Sequence, residues 1–230
     1  MHTHTITPIA LMQSPYQEKF AIPRQPGLVP SARGAVRLLG AFNNPHCIAG
    51  IEAFSHLWLE FIFHQTLAQG WKQKVRPPRL GGNQKVGVFA TRSTFRPNGL
   101  GLSVVKLEGI SCHQGQWQLD VSGFDLLDQT PVVDIKPYVA YSDALHHVNS
   151  GFAPEAPPLM DVTFSPQATA ELAQQPQLYQ LIREVLAQDP RPAYRKGIED
   201  IHEYGMKLAD HNVQWRVIEH QAVVTSVSDC

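Results

Sequence analysis

A chain of 230 residues, 43% hydrophobic and 17% charged, has room for one large domain, or one domain with an appendage, and buries roughly 70% of the surface its unfolded form exposes. With 18 Pro and 16 Gly the composition is turn-rich and globular, which excludes a disordered polymer. The formal net charge of -1 does not exclude a local basic face: between Glu60 and Glu108 there is no acid, and that interval holds eight of the 19 Lys and Arg.

The opening stretch MHTHTITPIALMQSP has neither the basic n-region nor the long apolar core of a signal peptide, and no run approaches the ~18 apolar residues of a membrane span. Cys47, Cys112 and Cys230 are odd in number and widely spaced, against both a disulfide framework and a structural zinc site. A soluble, cytoplasmic protein with no membrane segment is expected. The first distinctive string is PRQPGLV, Pro23 to Val29. Two prolines fix the backbone around Arg24 and Gln25, and Gly27 lets a ligand approach the main chain; the alternative is a plain turn.

In SHLWLEFIFHQ, Leu57, Leu59, Phe61 and Phe63 alternate with Trp58, Glu60 and Ile62, the period of a strand with one buried face. The run stops at His64 and Gln65, either polar groups at a barrel mouth or simply the strand leaving the core. VRPPRLGGNQ, Val75 to Gln84, is too rich in Pro and Gly for a helix or central strand, so an ordered loop is expected. Short strands are read at VGVFATRS, LGLSVVKLEGI, QWQLDVSGF and PVVDIKPY. ATRSTFRPNGLG carries Arg92 and Arg96 with no carboxylate to neutralise them. In SGFDLLDQTPVVDIKPY, Asp128 and Gln129 suit a turn, while Asp125 and Asp134 are candidates for chemistry and Lys136 lies close by.

The strand pattern breaks in SDALHHVNSGFAPEAPPLMD. Beyond it Leu178, Leu181, Ile182, Val185 and Leu186 fall at i, i+3, i+4, i+7 and i+8, the buried stripe of an amphipathic helix between Pro176 and Pro190. QDPRPAYRKG follows, and the alternation of Val213, Trp215 and Val217 points to a terminal hairpin. The fold class expected is mainly β: a small antiparallel barrel over residues 1–140, a connection over 141–165, and a small α+β domain over 166–230. No G-x-G-x-x-G, P-loop, H-E-x-x-H or G-x-S-x-G signature occurs, so a Rossmann cofactor domain is not expected. The histidines show no ligand spacing, and no metal is expected.

SPYQEKFAIPRQPG, GIEAFSHLWLEFIFHQ, VRPPRLGGN, GVFATRSTFRPNGLGLS, LDQTPVVDIKPY and, in the tail, IREVLAQDPRPAYRKG together resemble the TsaA-like family. The resemblance runs from about Ser14 to Tyr138 and from Ile182 to Gly197. It implies an S-adenosylmethionine-dependent enzyme on a small non-Rossmann barrel, commonly a homodimer. Such an enzyme methylates the amino nitrogen of N6-threonylcarbamoyladenosine at position 37, beside the anticodon of tRNA. It also implies a cofactor pocket drawn from Gln25, Pro26, Gly27, His64, Gln65, Arg92, Leu102, Ser122, Gly123, Phe124 and Asp125. Arg92 is suited to a carboxylate, and Asp125 and Asp134 are the candidate catalytic carboxylates. For the tRNA anticodon loop the candidates are Lys72, Lys74, Arg76, Arg79, Arg96, Lys136 and Tyr138, with Arg191, Tyr194 and Arg195 in the tail. A non-catalytic RNA-binding barrel is the alternative.

Overall fold

The computed structural model describes residues 3–192, 195–196 and 202–230. Six strands close a barrel: β1 (Ala10–Gln13), β2 (Arg33–Leu38), β3 (His56–Ile62), and, beyond a minor ribbon of β4 (Lys74–Val75) and β5 (Val86–Gly87), β6 (Leu100–His113), β7 (Gln116–Ser122) and β8 (Pro131–Pro137). The cyclic order is β1-β2-β7-β6-β3-β8, with every barrel pairing antiparallel and β8 returning to β1 through Ala10↔Val132. Closure leaves the barrel without a free strand edge.

The alternation expected of β3 is observed: Leu57, Leu59 and Phe61 are buried and Trp58, Glu60 and Ile62 partly exposed. Across the ladder Leu59 faces Ser103 and Phe61 faces Gly101. A Cβ at Gly101 would collide with the Phe61 ring, so glycine is what lets that ring and Phe63 pack edge to face there, with centroids 5.1 Å apart.

VGVFATRS departs from the expected strand. Only Val86–Gly87 pairs, and residues 88–90 coil into a 3-10 turn in which Val88 is buried and Phe89 is 77% exposed. An apolar run makes a strand only where a ladder and a core receive it, and the two-residue partner β4 offers neither. Two short helices, α1 (Pro45–Ile48) and α2 (Ala140–Asp143), punctuate the barrel, and Asp143 accepts from Trp58 Nε1 and from the Val139 amide, both at 2.9 Å.

The second sheet has the order β10-β11-β12-β9, from β9 (Val162–Phe164), β10 (Tyr204–Leu208), β11 (His211–Ile218) and β12 (Gln221–Asp229), with α3 (Pro166–Glu171) and α4 (Pro176–Ala187) beside it. The expected connection over 141–165 is thus too long by one strand: β9 pairs parallel with β12, and the Met160 amide donates to Ala187 O at 2.8 Å. Three residues in VTF carry too little periodicity to be seen. The five stripe residues of α4 are all buried, as their spacing requires, and β11 and β12 form the terminal hairpin. The segment 14–18 ties both units: Tyr16 O accepts from Asp128 N, Pro15 O from Ala209 N, and Glu18 Oε1 from Lys207 N. Buried side chains form one continuous cluster from Leu59 and Phe124 through Tyr16 to Trp215 and Leu186.

Candidate active site

The site is assembled from two glycine turns. Gly27 (φ +79°) and Gly123 (φ +70°) take left-handed conformations that favour glycine, and the Gly27 amide donates to Gly123 O at 2.7 Å. The Gly123 amide donates onward to Ala32 O at 3.2 Å, so the prolyl turn and the SGFD turn are locked edge to edge. Open space surrounds the Gly27 Cα where a side chain would project, which leaves the main chain of PRQPG approachable.

Beside these turns lies a cleft of about 790 Å³ lined by Gln25 and Pro26 of the prolyl turn, His64 and Gln65 after β3, Leu102 on β6, and Asp125. Arg92 and Arg96 line it too. The Arg92 guanidinium is exposed and donates to Gln25 Oε1, and among the described residues neither arginine has a carboxylate within ion-pair distance. Arg96 instead donates to the carbonyls of Thr91 (2.7 Å) and Val88 (3.4 Å) and braces the loop.

Asp125 accepts from the Ser103 hydroxyl through Oδ1. Burial pushes its carboxyl up to about 6, with the Ser103 bond and the charge of Arg92 opposing the rise. A carboxylate so placed is ionised at neutral pH yet basic enough to take a proton. Burial lowers the His64 imidazole, aided by Lys19, which keeps a neutral ring at the rim.

Other expected site residues stand elsewhere. Ser122 is buried and donates to Glu108 Oε1 at 2.5 Å, and Phe124 is fully buried with its ring 5.8 Å from that of Tyr16. Both support the turn from behind, and neither lines the cleft. The Ser122 bond, with Arg33 and Lys106, holds Glu108 down to about 2. Asp134 is paired with Lys136, which also meets Glu60 Oε1 at 2.7 Å, and Asp134 is not among the cleft residues. This corrects the expectation for Asp134, whose carboxylate is neutralised away from the cavity, while Lys136 stays half exposed as an ammonium shared by two carboxylates. Tyr138 packs by its ring on Trp58 (5.8 Å) and His56 (6.2 Å).

Arg191 is also corrected. It is 4% exposed and makes a bidentate pair with Asp189, at 2.8 and 3.1 Å, because Asp189 (φ +46°) turns the chain back after α4. Arg195 is half-buried in the following turn, its amide donating to Pro192 O, while Tyr194 lies outside the described residues. Arg76 and Arg79 are exposed in the loop bracketed by β4 and β5.

Sequence reasoning missed Ser103, whose parity with Gly101 and Val105 marks it as an inward polar residue. It also missed Trp71 (52% exposed) and Phe89, aromatic rings set among the cations of the acid-free stretch, for which interleaving of rings and basic residues was the available signal.

The sequence model of the tRNA-methyltransferase O N-terminal domain matches residues 11–144, and that of the TrmO C-terminal domain matches residues 157–230. A tRNA (adenine(37)-N6)-methyltransferase of Escherichia coli (strain K12) is 51% identical over 216 residues, 92% of each chain. A Pseudomonas aeruginosa protein described as putative S-adenosylmethionine-dependent methyltransferase RcsF is 50% identical over 218 residues, 93% of this chain and 92% of its own. The crystal structure of TrmO from Pseudomonas aeruginosa superposes with a TM-score of 0.82 at 41% identity, covering 99% of both chains.

Proposed function

The chain belongs to the TrmO family of tRNA methyltransferases, and from that premise we infer how its cleft works. It is an S-adenosylmethionine-dependent enzyme that methylates N6 of adenine 37 in tRNA. Our reading of the finer substrate is adenosine that already carries an N6-threonylcarbamoyl group, in threonine tRNA, engaged through the anticodon loop in the cytoplasm.

The residues of the cleft fit the cofactor chemically. Arg92 offers a planar cation that among the described residues has no carboxylate within ion-pair distance, as a methionine carboxylate requires, and Gln25 fixes that guanidinium in place. Leu102, 54% exposed, offers apolar surface, whereas Gly27 and Gly123 line a smaller neighbouring cavity with Ser122 and not the cleft itself. When bound, S-adenosylmethionine supplies an electrophilic methyl group. The accepting N6 would gain the methyl carbon as the sulfur–methyl bond breaks, leaving the neutral thioether S-adenosylhomocysteine, and would shed one proton, for which Asp125 is our acceptor: Ser103 engages Oδ1, leaving Oδ2 to receive it. Alignment of donor and acceptor can supply on the order of 7 to 11 kcal/mol of the barrier.

The single observation that carries this reading is the convergence on one cleft of Arg92, Gln25, Leu102 and the elevated Asp125. For RNA we assign the acid-free lobe of residues 66–99, with Lys72, Lys74, Arg76 and Arg79 for phosphates and Trp71 and Phe89 for stacking. We propose a homodimer as the family resemblance implies it, and sedimentation at twice the chain mass checks it. Transfer of labelled methyl to tRNA with and without the threonylcarbamoyl group tests the substrate: label is expected only with it, and equal incorporation into both overturns that finer assignment.

A further inference from the structure

The prolyl turn that opens the cleft has little holding it from within. Among the described residues, the only backbone-to-backbone hydrogen bond made by an amide from residue 24 to residue 28 is that of Gly27 to Gly123. Arg92 adds a side-chain bond to Gln25 and the Ala32 amide one to Val29 O at 3.2 Å, and further anchors come from the second domain. Glu184 Oε2 accepts from both the amide (2.9 Å) and the hydroxyl (2.7 Å) of Ser31, and Gln188 Nε2 donates to Leu28 O at 3.3 Å. Asp189 adds a favourable field at Arg24.

Glu184 and Gln188 are one helix turn apart at the end of α4, and the helix cannot rotate them away, because its opposite stripe, from Leu178 to Leu186, is buried. Glu184 is itself steadied, since Gln180 Nε2 donates to its second oxygen at 2.8 Å. A carboxylate accepting two hydrogen bonds from one residue fixes that residue's position, and a turn ordered before a ligand arrives loses less entropy on binding it.

We propose that Glu184, in the C-terminal domain, is a positioning residue for cofactor binding in the barrel's cleft, acting through Ser31 to hold the turn of residues 24–31 in its binding shape. This rests on the reading of the cleft as the S-adenosylmethionine site. Glu184 touches no reacting atom, so its loss raises the Kd and KM for S-adenosylmethionine and leaves kcat nearly unchanged.

The test measures S-adenosylmethionine affinity by calorimetry on the full chain, with KM and kcat for tRNA methylation and amide exchange across residues 24–31 in the ligand-free protein. Glu184→Ala is expected to raise Kd and KM roughly tenfold, with kcat within about twofold, and to speed exchange at the turn. Glu184→Gln keeps an acceptor for Ser31 and restores affinity to within about threefold. A folded Glu184→Ala protein with wild-type affinity overturns the proposal. If that variant does not fold, Ser31→Ala decides, because it removes one of the two bonds from the turn's side without touching α4; unchanged affinity there overturns the proposal equally. Wild-type protein that does not bind S-adenosylmethionine removes the cleft reading itself, a separate and distinguishable failure.

Discussion

Arg92 and Asp125 share one field in the cleft, and each carries its own prediction. Arg92 is exposed and bonded to Gln25, so Arg92→Ala is expected to cost no more than about 0.5 kcal/mol in stability while weakening S-adenosylmethionine binding by on the order of tenfold. Arg92→Lys restores little, because a point charge does not reproduce a planar fork; calorimetry on both variants checks it. For Asp125 the carboxyl stands at about 6 in the folded chain against ~3.9 for a free carboxylate. The folded state therefore binds that proton more tightly than the unfolded one. Its contribution to stability is complete below pH ~4 and fades as pH rises through 6, by at most about 3 kcal/mol. Melting curves of the ligand-free protein across pH 4 to 7 read this, and Asp125→Asn flattens the dependence. In the methyl-transfer rate the same group gives an acid limb centred near 6, which Asp125→Asn abolishes along with most activity.

At the scale of elements, the RNA role proposed for the lobe of residues 66–99 predicts a dependence on salt. Its exposed cations have no acid within the lobe to meet, so each phosphate they neutralise contributes a counterion term to tRNA binding. Replacing Arg76 and Arg79 by Ala is expected to shallow the log-log salt slope by about 0.7 for each phosphate left without its arginine, whereas Trp71→Ala and Phe89→Ala lower affinity by ~1 to 3 kcal/mol per stacked base at unchanged slope. Filter binding over a salt series separates the two. The same lobe marks the limit of what periodicity conveys. Strands β3, β6, β7 and β8 and helix α4 are legible because long runs alternate against a core, and the helix is bounded by prolines. Residues 86–93 carry the same apolar density, yet Phe89 points outward, since nothing in a local string tells whether a ladder waits beside it. Strands β1 and β2 are not legible at all: ALMQ is too short, and RGAVRL buries Ala35, Val36 and Leu38, a broken alternation. Ser103 gains its meaning only when the barrel brings it to Asp125. The buried pairing of Arg191 is equally invisible, because it depends on the left-handed turn at Asp189.

For the whole molecule, the barrel and the second sheet are coupled more closely than two consecutive units would be. One cluster of buried side chains spans both, and residues 14–18, which precede most of the barrel in sequence, hydrogen-bond to the β10–β11 corner nearly two hundred residues later. Calorimetric unfolding is therefore expected as a single transition with equal calorimetric and van't Hoff enthalpies; two resolved peaks contradict it.

The exposed stretch from Ala144 to Leu159 is the one covalent bridge between those units, and few of its backbone groups bond to either. What joins the halves is instead the shared core, the Tyr16 bridge to Leu208 and the Glu184 contact with Ser31. If those contacts suffice without the bridge, a protease that nicks it is expected to yield two fragments that stay associated and co-elute, and fragments that separate contradict this. The two halves expressed as separate polypeptides are expected to reconstitute a working enzyme.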